Sequence, residues 1–104
     1  MLQNDRALVI DIDHCKETAL HWAAKRNNPK LVLDLLRAGA QINSLDVLHR
    51  TPLFHACKEN ALHSVHELLK QGADAELRDI HGFKPIDVCI DQKIINLLKK
   101  FENN

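Results

Sequence analysis

The chain has 104 residues, enough for one domain, and 45% of them are hydrophobic, which is ordinary for a globular protein. Its 14 acidic side chains balance 14 basic ones, and this zero net charge gives no support to nucleic-acid binding. No run of 18 apolar residues exists, and the N-terminus lacks the charged-then-apolar layout of a secretory signal, so we expect neither membrane insertion nor secretion.

A period of 33 residues runs through the chain. It is marked by three aspartates and two Gly-Ala pairs: Asp13, Asp46 and Asp79, and Gly39-Ala40 and Gly72-Ala73. A period of this size is typical of stacked-repeat proteins. On this period residues 1–12 align with the end of the next unit. They therefore predict the tail of a missing upstream repeat; the alternative is an irregular arm that covers the first repeat.

Residues 13–45 are predicted to form the first full repeat, which begins with a helix from about Thr18 to Lys25. Leu20, Ala23 and Ala24 lie on one side of this helix at helical spacing. Asn27 follows where the helix must stop, because asparagine tolerates the left-handed backbone conformation.

A second helix is predicted over roughly Pro29 to Ala38, since Asn28 is a suitable cap and proline suits the first helical position. Its apolar residues recur at helical spacing and predict a buried stripe: Leu31, Val32, Leu35 and Leu36. Gly39 should end this helix because glycine accepts a positive φ angle. We expect residues 40–45 to return in an extended conformation.

Residues 46–78 repeat this plan. Pro52 falls in the first turn of the first helix, where its missing N–H does no harm. The apolar positions of both helices recur one period on: Leu53, Ala56 and Cys57, then Leu62, Val65, Leu68 and Leu69. Asn60 matches Asn27, and Gly72 ends the second helix.

Residues 79–104 begin in register but are shortened. Ile94, Leu97 and Leu98 match the second repeat only if four residues are deleted near Asp91. The polar tail that follows has no Gly-Ala pair. This pattern predicts a C-terminal capping repeat whose outer face meets water.

These residues resemble the ankyrin repeat, whose unit reads approximately Asp-x-x-Gly-x-Thr-Pro-Leu-His-x-Ala-Ala and ends in Gly-Ala-Asp-x-Asn. The residues that match in the first repeat are Asp13, Thr18, Leu20, His21, Ala23, Ala24, Val32, Leu35, Leu36, Gly39, Ala40 and Asn43. Those in the second are Asp46, Thr51, Pro52, Leu53, Ala56, Val65, Leu68, Leu69, Gly72, Ala73 and Asp74, and those in the third are Asp79, Gly82, Pro85, Ile94, Leu97 and Leu98. The resemblance implies an all-α solenoid of three helix-loop-helix repeats joined by short hairpin-like loops.

The departures from this pattern are specific. The family histidine, which ties neighbouring loops together, is present as His21, whereas Phe54 and Asp87 stand at its place in the later repeats. The loop glycine of the pattern is replaced at Lys16 and His49, so we expect these two loops to be strained or differently turned. Trp22 stands where the family commonly has a large apolar residue, and we expect it to pack between helices.

No residue pattern predicts catalysis, a cofactor or a metal site. The three cysteines, Cys15, Cys57 and Cys89, are widely spaced and lack Cys-x-x-Cys spacing, so they predict neither a disulfide framework nor a structural zinc site. They favour a reducing compartment, and we expect an intracellular, cytoplasmic or nuclear protein. Cys57 and Cys89 fall where the family prefers alanine and are expected to be small, buried, inert thiols. His63 and His66 are expected on the outer helix face.

The resemblance places partner contacts at the hairpin tips and on the concave face of the first helices. The corresponding residues are His14, Glu17, Lys25, Arg26 and Leu45 in the first repeat, Val47, Leu48, Arg50, Lys58 and Glu59 in the second, and Ile80, His81 and Phe83 in the third. Several of these are apolar, and contiguous exposed apolar surface commonly marks an interaction site. The alternative is that some of them pack beneath the hairpins.

We therefore predict a non-catalytic module that binds another protein. The alternative is a regulatory or targeting domain of a larger enzyme or channel whose other domains are absent from this chain. We expect a monomer, and a third possibility is end-to-end stacking through the uncovered face of the first repeat.

Overall fold

A computed structural model describes residues 16–102, and within this range it contains five α-helices and one 3-10 helix but no strand. The α-helices are α1 (Ala19–Lys25), α2 (Pro29–Arg37), α3 (Pro52–Lys58), α4 (Leu62–Lys70) and α5 (Gln92–Glu102), and the 3-10 helix spans Pro85–Val88. The predicted all-α fold is confirmed. The predictions for residues 1–12 and for His14 lie outside the described residues.

The helix boundaries follow from capping residues. The Thr18 side chain caps α1 by accepting a hydrogen bond from the His21 amide, and the Asn28 side chain caps α2 through the amide of Leu31. Thr51 caps α3 in the same way, through the amide of Phe54 at 3.0 Å.

The chain turns between α1 and α2 through Asn27, whose φ angle is +55°, and between α3 and α4 through Asn60, at +60°. Both asparagines adopt the left-handed conformation expected of Asn27 from the sequence. Asn27 also joins two repeats, because its Oδ1 accepts a hydrogen bond from the Ser64 amide at 3.0 Å in the first turn of α4. The residue before α4, Ala61, provides no side-chain cap, so the preceding repeat supplies one.

The predicted buried stripe of α2 is only partly correct. Val32 is fully buried, and Leu35 and Leu36 are half-buried against the core. Leu31 is instead 42% exposed. Its counterpart one period later is Ser64, which is fully buried where α4 packs against α2. Leu31 therefore lies on a side of α2 that no described helix covers.

The third repeat departs further from the prediction. Its first helix is reduced to the single 3-10 turn Pro85–Val88, and the backbone is already extended at Cys89. The second helix, α5, buries Ile94 and Leu98 and exposes lysines such as Lys99 and Lys100. The four-residue deletion thus shortens the first helix as well as the loop that follows it.

The helices stack in two layers. One contains α1, α3 and the 3-10 helix, and the other contains α2, α4 and α5. Between them lies one core, composed mainly of Leu20, Ala23, Ala24, Val32, Leu53, Ala56, Cys57, Val65, Leu68, Ile94 and Leu98. Burial of each Leu, Ile or Val side chain stabilises the fold by about 1.5–3 kcal/mol, so the stacking contacts dominate its stability. None of the helices within residues 16–102 is long and apolar enough to cross a membrane.

Candidate partner-binding surface

The two hairpin loops that precede α3 and the 3-10 helix have the same internal geometry. The Asp46 carboxylate accepts hydrogen bonds from the amides of Leu48 and Arg50, both at 2.9 Å. Asp79 does the same for His81 and Phe83, also at 2.9 Å. The aspartates that mark the period are therefore the residues that hold these turns.

The loop glycine position is occupied by Lys16, His49 and Gly82 in successive loops, and all three residues have a positive φ angle, of 61°, 60° and 86°. The turns at His49 and Gly82 are therefore the same although only one of them contains glycine, and Lys16 has the same left-handed φ angle. A left-handed conformation costs a residue with a Cβ atom about 1–2 kcal/mol. Of the two expectations for Lys16 and His49, the structure supports strain rather than a different turn.

Successive loops are tied together by polar contacts. His21 Nε2 lies 2.8 Å from the Arg50 carbonyl, and Arg50 Nε donates to Asp79 Oδ2 at 3.4 Å. The backbone amide of Ile80 donates to the Leu48 carbonyl at 3.1 Å. These contacts fix the hairpin tips relative to one another, so side chains on the tips form one preorganised surface.

The connecting role expected of His21 is confirmed by its hydrogen bonds. Its Nδ1 accepts from the Thr18 amide at 3.1 Å, so Nε2 carries the proton that is donated to the Arg50 carbonyl. Burial lowers the pKa of His21 below its ordinary value, although the hydrogen bond to Arg50 and the carboxylates of Asp46 and Glu17 act in the opposite direction.

His55 forms polar contacts that the sequence did not predict. Its Nε2 lies 2.7 Å from Asp46 Oδ2 and 3.8 Å from Glu17 Oε2, and the side chain is buried. Burial alone would raise the pKa of Asp46, but hydrogen bonds from His55 and from the Arg50 and Leu48 amides lower it. The signal for this role was present in the sequence, because His55 takes the place of Trp22 one period on.

His21, Asp46 and His55 also bring three potential metal-ligand atoms within 4.8 Å of one another. These atoms are already engaged in hydrogen bonds: His55 Nε2 is hydrogen-bonded to Asp46, and His21 Nε2 donates to the Arg50 carbonyl. A proton-bearing ring nitrogen cannot bind a metal ion. The geometry is therefore that of a hydrogen-bond network between repeats.

Four of the five apolar residues selected on the hairpin tips are highly exposed. We call Leu45, Val47, Ile80 and Phe83 the tip surface; their exposed fractions lie between 45% and 53%. Leu48 is less exposed than these four residues, because its carbonyl is hydrogen-bonded to the neighbouring tip. For the tip surface itself, the alternative that these residues pack beneath the hairpins is therefore wrong.

Trp22 is not packed between helices as expected: it is 49% exposed. It lies on α1 beside two cations, with Lys25 Nζ at 5.4 Å and Arg26 Cζ at 5.2 Å from its ring centre. Lys25 Nζ also contacts both Glu17 carboxylate oxygens, at 2.8 and 2.9 Å. The ring thus lies outside the core cluster and packs against cationic side chains of its own repeat.

The remaining selected residues lie on exposed positions of the same layer. Lys58 and Glu59 end α3, with 3.9 Å between Nζ and Oε2, and His81 is exposed on the second tip. Arg50 is half-buried, with its guanidinium 5.1 Å from the Phe54 ring centre. Arg50 also joins successive loops, and Glu17 contacts Lys25 and His55.

The cysteines and outer histidines do not belong to this surface. His63 and His66 are exposed on α4, as expected. Cys57 is fully buried, whereas Cys89 is only half-buried, contrary to expectation, because the 3-10 helix ends before it. A hydrogen bond with Cys89, together with burial, raises the pKa of the Cys57 thiol, and the same hydrogen bond lowers the pKa of Cys89.

Comparison with known proteins identifies this architecture. A family model for ankyrin repeats, in three copies, matches residues 2–79 and 20–103. Over 64 residues the chain is 39% identical to transient receptor potential cation channel subfamily A member 1 of Drosophila melanogaster, and the match covers 62% of this chain and 5% of that channel. Over 78 residues it is 38% identical to a glycerophosphocholine phosphodiesterase of Candida albicans, covering 74% of this chain and 7% of that protein.

A further relative is ankyrin repeat and SOCS box protein 11 of Danio rerio, which is 37% identical over 82 residues, or 79% of this chain and 28% of that protein. The chain thus spans only a small part of the length of these relatives. Ankyrin repeats are generally non-catalytic and mediate protein–protein interactions. The family model covers nearly the whole sequence, and the repeated capping, turn and stacking contacts agree with it: the chain belongs to the ankyrin repeat family.

Proposed function

We propose that this chain is a non-catalytic module that binds a partner protein through its hairpin tips and the adjoining face of its first helices. The tip surface is the observation that supports this most directly. Val47 and Ile80 occupy equivalent positions on neighbouring tips and are 50% and 53% exposed. Aligned apolar side chains on fixed loops commonly mark an interaction site.

The backbone of the tip surface is already ordered before binding. Hydrogen bonds from Asp46 and Asp79 hold each turn, and the Ile80 amide joins one tip to the next. A preordered surface loses less conformational entropy when it binds than a flexible loop does. The proposed module therefore needs only a modest contact area for specific binding.

The test is affinity capture with the tagged protein in its own cells. The double variant Val47→Asp and Ile80→Asp places two charges on the tip surface. We expect partner recovery to fall at least about tenfold, because charges at an apolar contact must be desolvated without compensation. A matched control is Ile90→Asp, which alters the most exposed large apolar residue, at 81%, beyond the 3-10 helix. Equal recovery with both variants would contradict the proposed surface.

A second candidate is a regulatory or targeting domain of a larger channel or enzyme. It is supported by the relatives, which include a cation channel and a phosphodiesterase that this chain matches over only 5% and 7% of their length. The coding sequence on either side of this segment tests the proposal. A membrane-spanning or catalytic domain in the same reading frame is expected; an open reading frame confined to these repeats would exclude it.

We further propose that residues 13–45 and 46–78 are full repeats, that residues 79–104 are a shortened C-terminal capping repeat, and that residues 1–12 are the tail of an upstream repeat. The 33-residue spacing of Asp13, Asp46 and Asp79 supports this division. We also propose an intracellular, cytoplasmic or nuclear protein that is monomeric, with stacking through the first repeat as the alternative. Fluorescence microscopy of a tagged protein and light scattering at high concentration test these points.

A further inference from the structure

We propose that the partner contacts α1 with an acidic segment, in which a carboxylate pairs with Arg26 and a neighbouring apolar side chain packs on Trp22. This inference rests on the proposed function, because it names the chemistry of the partner that the module binds. Three features of α1 support it: an exposed aromatic ring, a fixed neighbouring cation and an uncompensated positive charge.

The Trp22 ring is exposed, but two cations restrict its position. Lys25 and Arg26 lie 5.4 and 5.2 Å from the ring centre, within the range of cation–π attraction. Tryptophan and arginine are the residues that most often dominate the binding energy of protein interfaces. Here Trp22 lies on α1 and Arg26 directly follows the helix, 5.2 Å from the ring centre, and half of the ring remains open to a partner.

A buried network holds the first of these cations in place. Lys25 Nζ contacts both carboxylate oxygens of Glu17, and Glu17 Oε2 lies 3.8 Å from the buried His55, which binds Asp46 at 2.7 Å. The chain of contacts thus extends from the hairpin loop before α3 to the surface of α1. Because Lys25 is anchored in this way, Trp22 packs against a fixed neighbour and loses little freedom on binding.

The charge on this patch favours an acidic partner. Glu17 neutralises Lys25, but among residues 16–102 no carboxylate lies within ion-pairing distance of Arg26. On α3 the equivalent position is Glu59, which lies beside Lys58. In contrast to the end of α3, the end of α1 therefore carries an unbalanced positive charge, and this charge adjoins an apolar ring. A carboxylate next to an apolar side chain complements both features.

The experiment uses the intrinsic fluorescence of Trp22, which is the only tryptophan in the chain. The unmodified protein is titrated with a peptide of about twelve residues in which Glu and Leu alternate, and with otherwise identical peptides that carry Gln or Lys instead of Glu. We expect the Glu peptide to shift the emission and to bind at least about tenfold more tightly than the Gln peptide. Equal binding of the Glu and Gln peptides, or no binding of the Glu peptide, would overturn the proposal.

Two charge reversals locate the contact. Arg26→Glu should weaken binding of the Glu peptide at least about tenfold, whereas Arg37→Glu, on the last turn of α2, should change it less than about twofold. Both residues are exposed, and thermal unfolding checks that both variants fold. Equal losses would mean that overall charge, and not α1, attracts the peptide. If the cellular partner is lost with the tip-surface variant but retained with Arg26→Glu, the proposed function stands and this inference fails.

Discussion

His21 connects two loops while buried, and this arrangement makes stability depend on pH. Burial lowers the pKa of His21 below its ordinary 6.5, although Arg50, Asp46 and Glu17 favour the charged form. The unfolded chain therefore binds the proton more tightly than the folded protein does. The stabilising contribution is complete above about pH 6.5 and is lost as the pH falls from there towards the lowered pKa of the folded state.

We predict that His21→Gln lowers the free energy of unfolding by about 1–3 kcal/mol at about pH 7.5, because the glutamine amide cannot accept from the Thr18 amide and reach the Arg50 carbonyl at the same time, as the two ring nitrogens do. The variant should also lose less stability than the unmodified protein when the pH is lowered to about 5.5. Urea unfolding at both pH values measures this. His63→Gln, at an exposed position, is the control and should behave like the unmodified protein. Equal pH dependence in all three proteins would contradict the role assigned to His21.

At the scale of the element, α4 depends on the preceding repeat for its cap. The Asn27 side chain accepts a hydrogen bond from the Ser64 amide at 3.0 Å, and the φ angle of Asn27 is +55°. Asn27→Gly keeps this backbone conformation but removes the acceptor, so we predict a loss of about 0.5–1.5 kcal/mol in the free energy of unfolding. Asn60→Gly is a matched control, because Asn60 has a φ angle of +60° but its side chain makes no hydrogen bond within the described residues. Equal effects of the two variants on chemical unfolding would show that the cap contributes nothing.

The structural features that could be predicted from the sequence are those that depend on neighbouring residues or on the 33-residue repeat. The cap at Asn28 and the turn at Asn27 were predicted because each depends on nearby residues. Trp22 and Leu31 were misplaced because their exposure depends on what the next helix presents. A repeat pattern gives the position on a helix but not the neighbour that covers it.

The residues of the candidate site were likewise only partly predictable from the sequence. The exposed tip residues followed from the family pattern, because hairpin tips lie outside the helix stack. The contacts of His55 with Asp46 and Glu17 did not follow from that pattern. They join residues 9 and 38 positions apart, and the contact with Glu17 forms only when two repeats stack. The sequence shows a polar residue at His55 in place of Trp22, but it does not show which carboxylates lie beside it.

At the scale of the whole molecule, stability is distributed unevenly along the stack. The second helix of the middle repeat, α4, buries Ser64, Val65, Leu68 and Leu69, whereas α2 fully buries only Val32. In a repeat protein each unit depends mainly on its nearest neighbours, so a helix with less buried apolar surface opens at a lower free energy. We predict faster amide hydrogen exchange in α2 than in α4, measured by mass spectrometry of peptides from each helix. α3, in which every residue except Lys58 is buried, should exchange more slowly than α1, whose Trp22 faces solvent. Uniform protection across the four helices would instead mean that the stack unfolds as a single cooperative unit, and the partner surface on α1 would then be as rigid as the core.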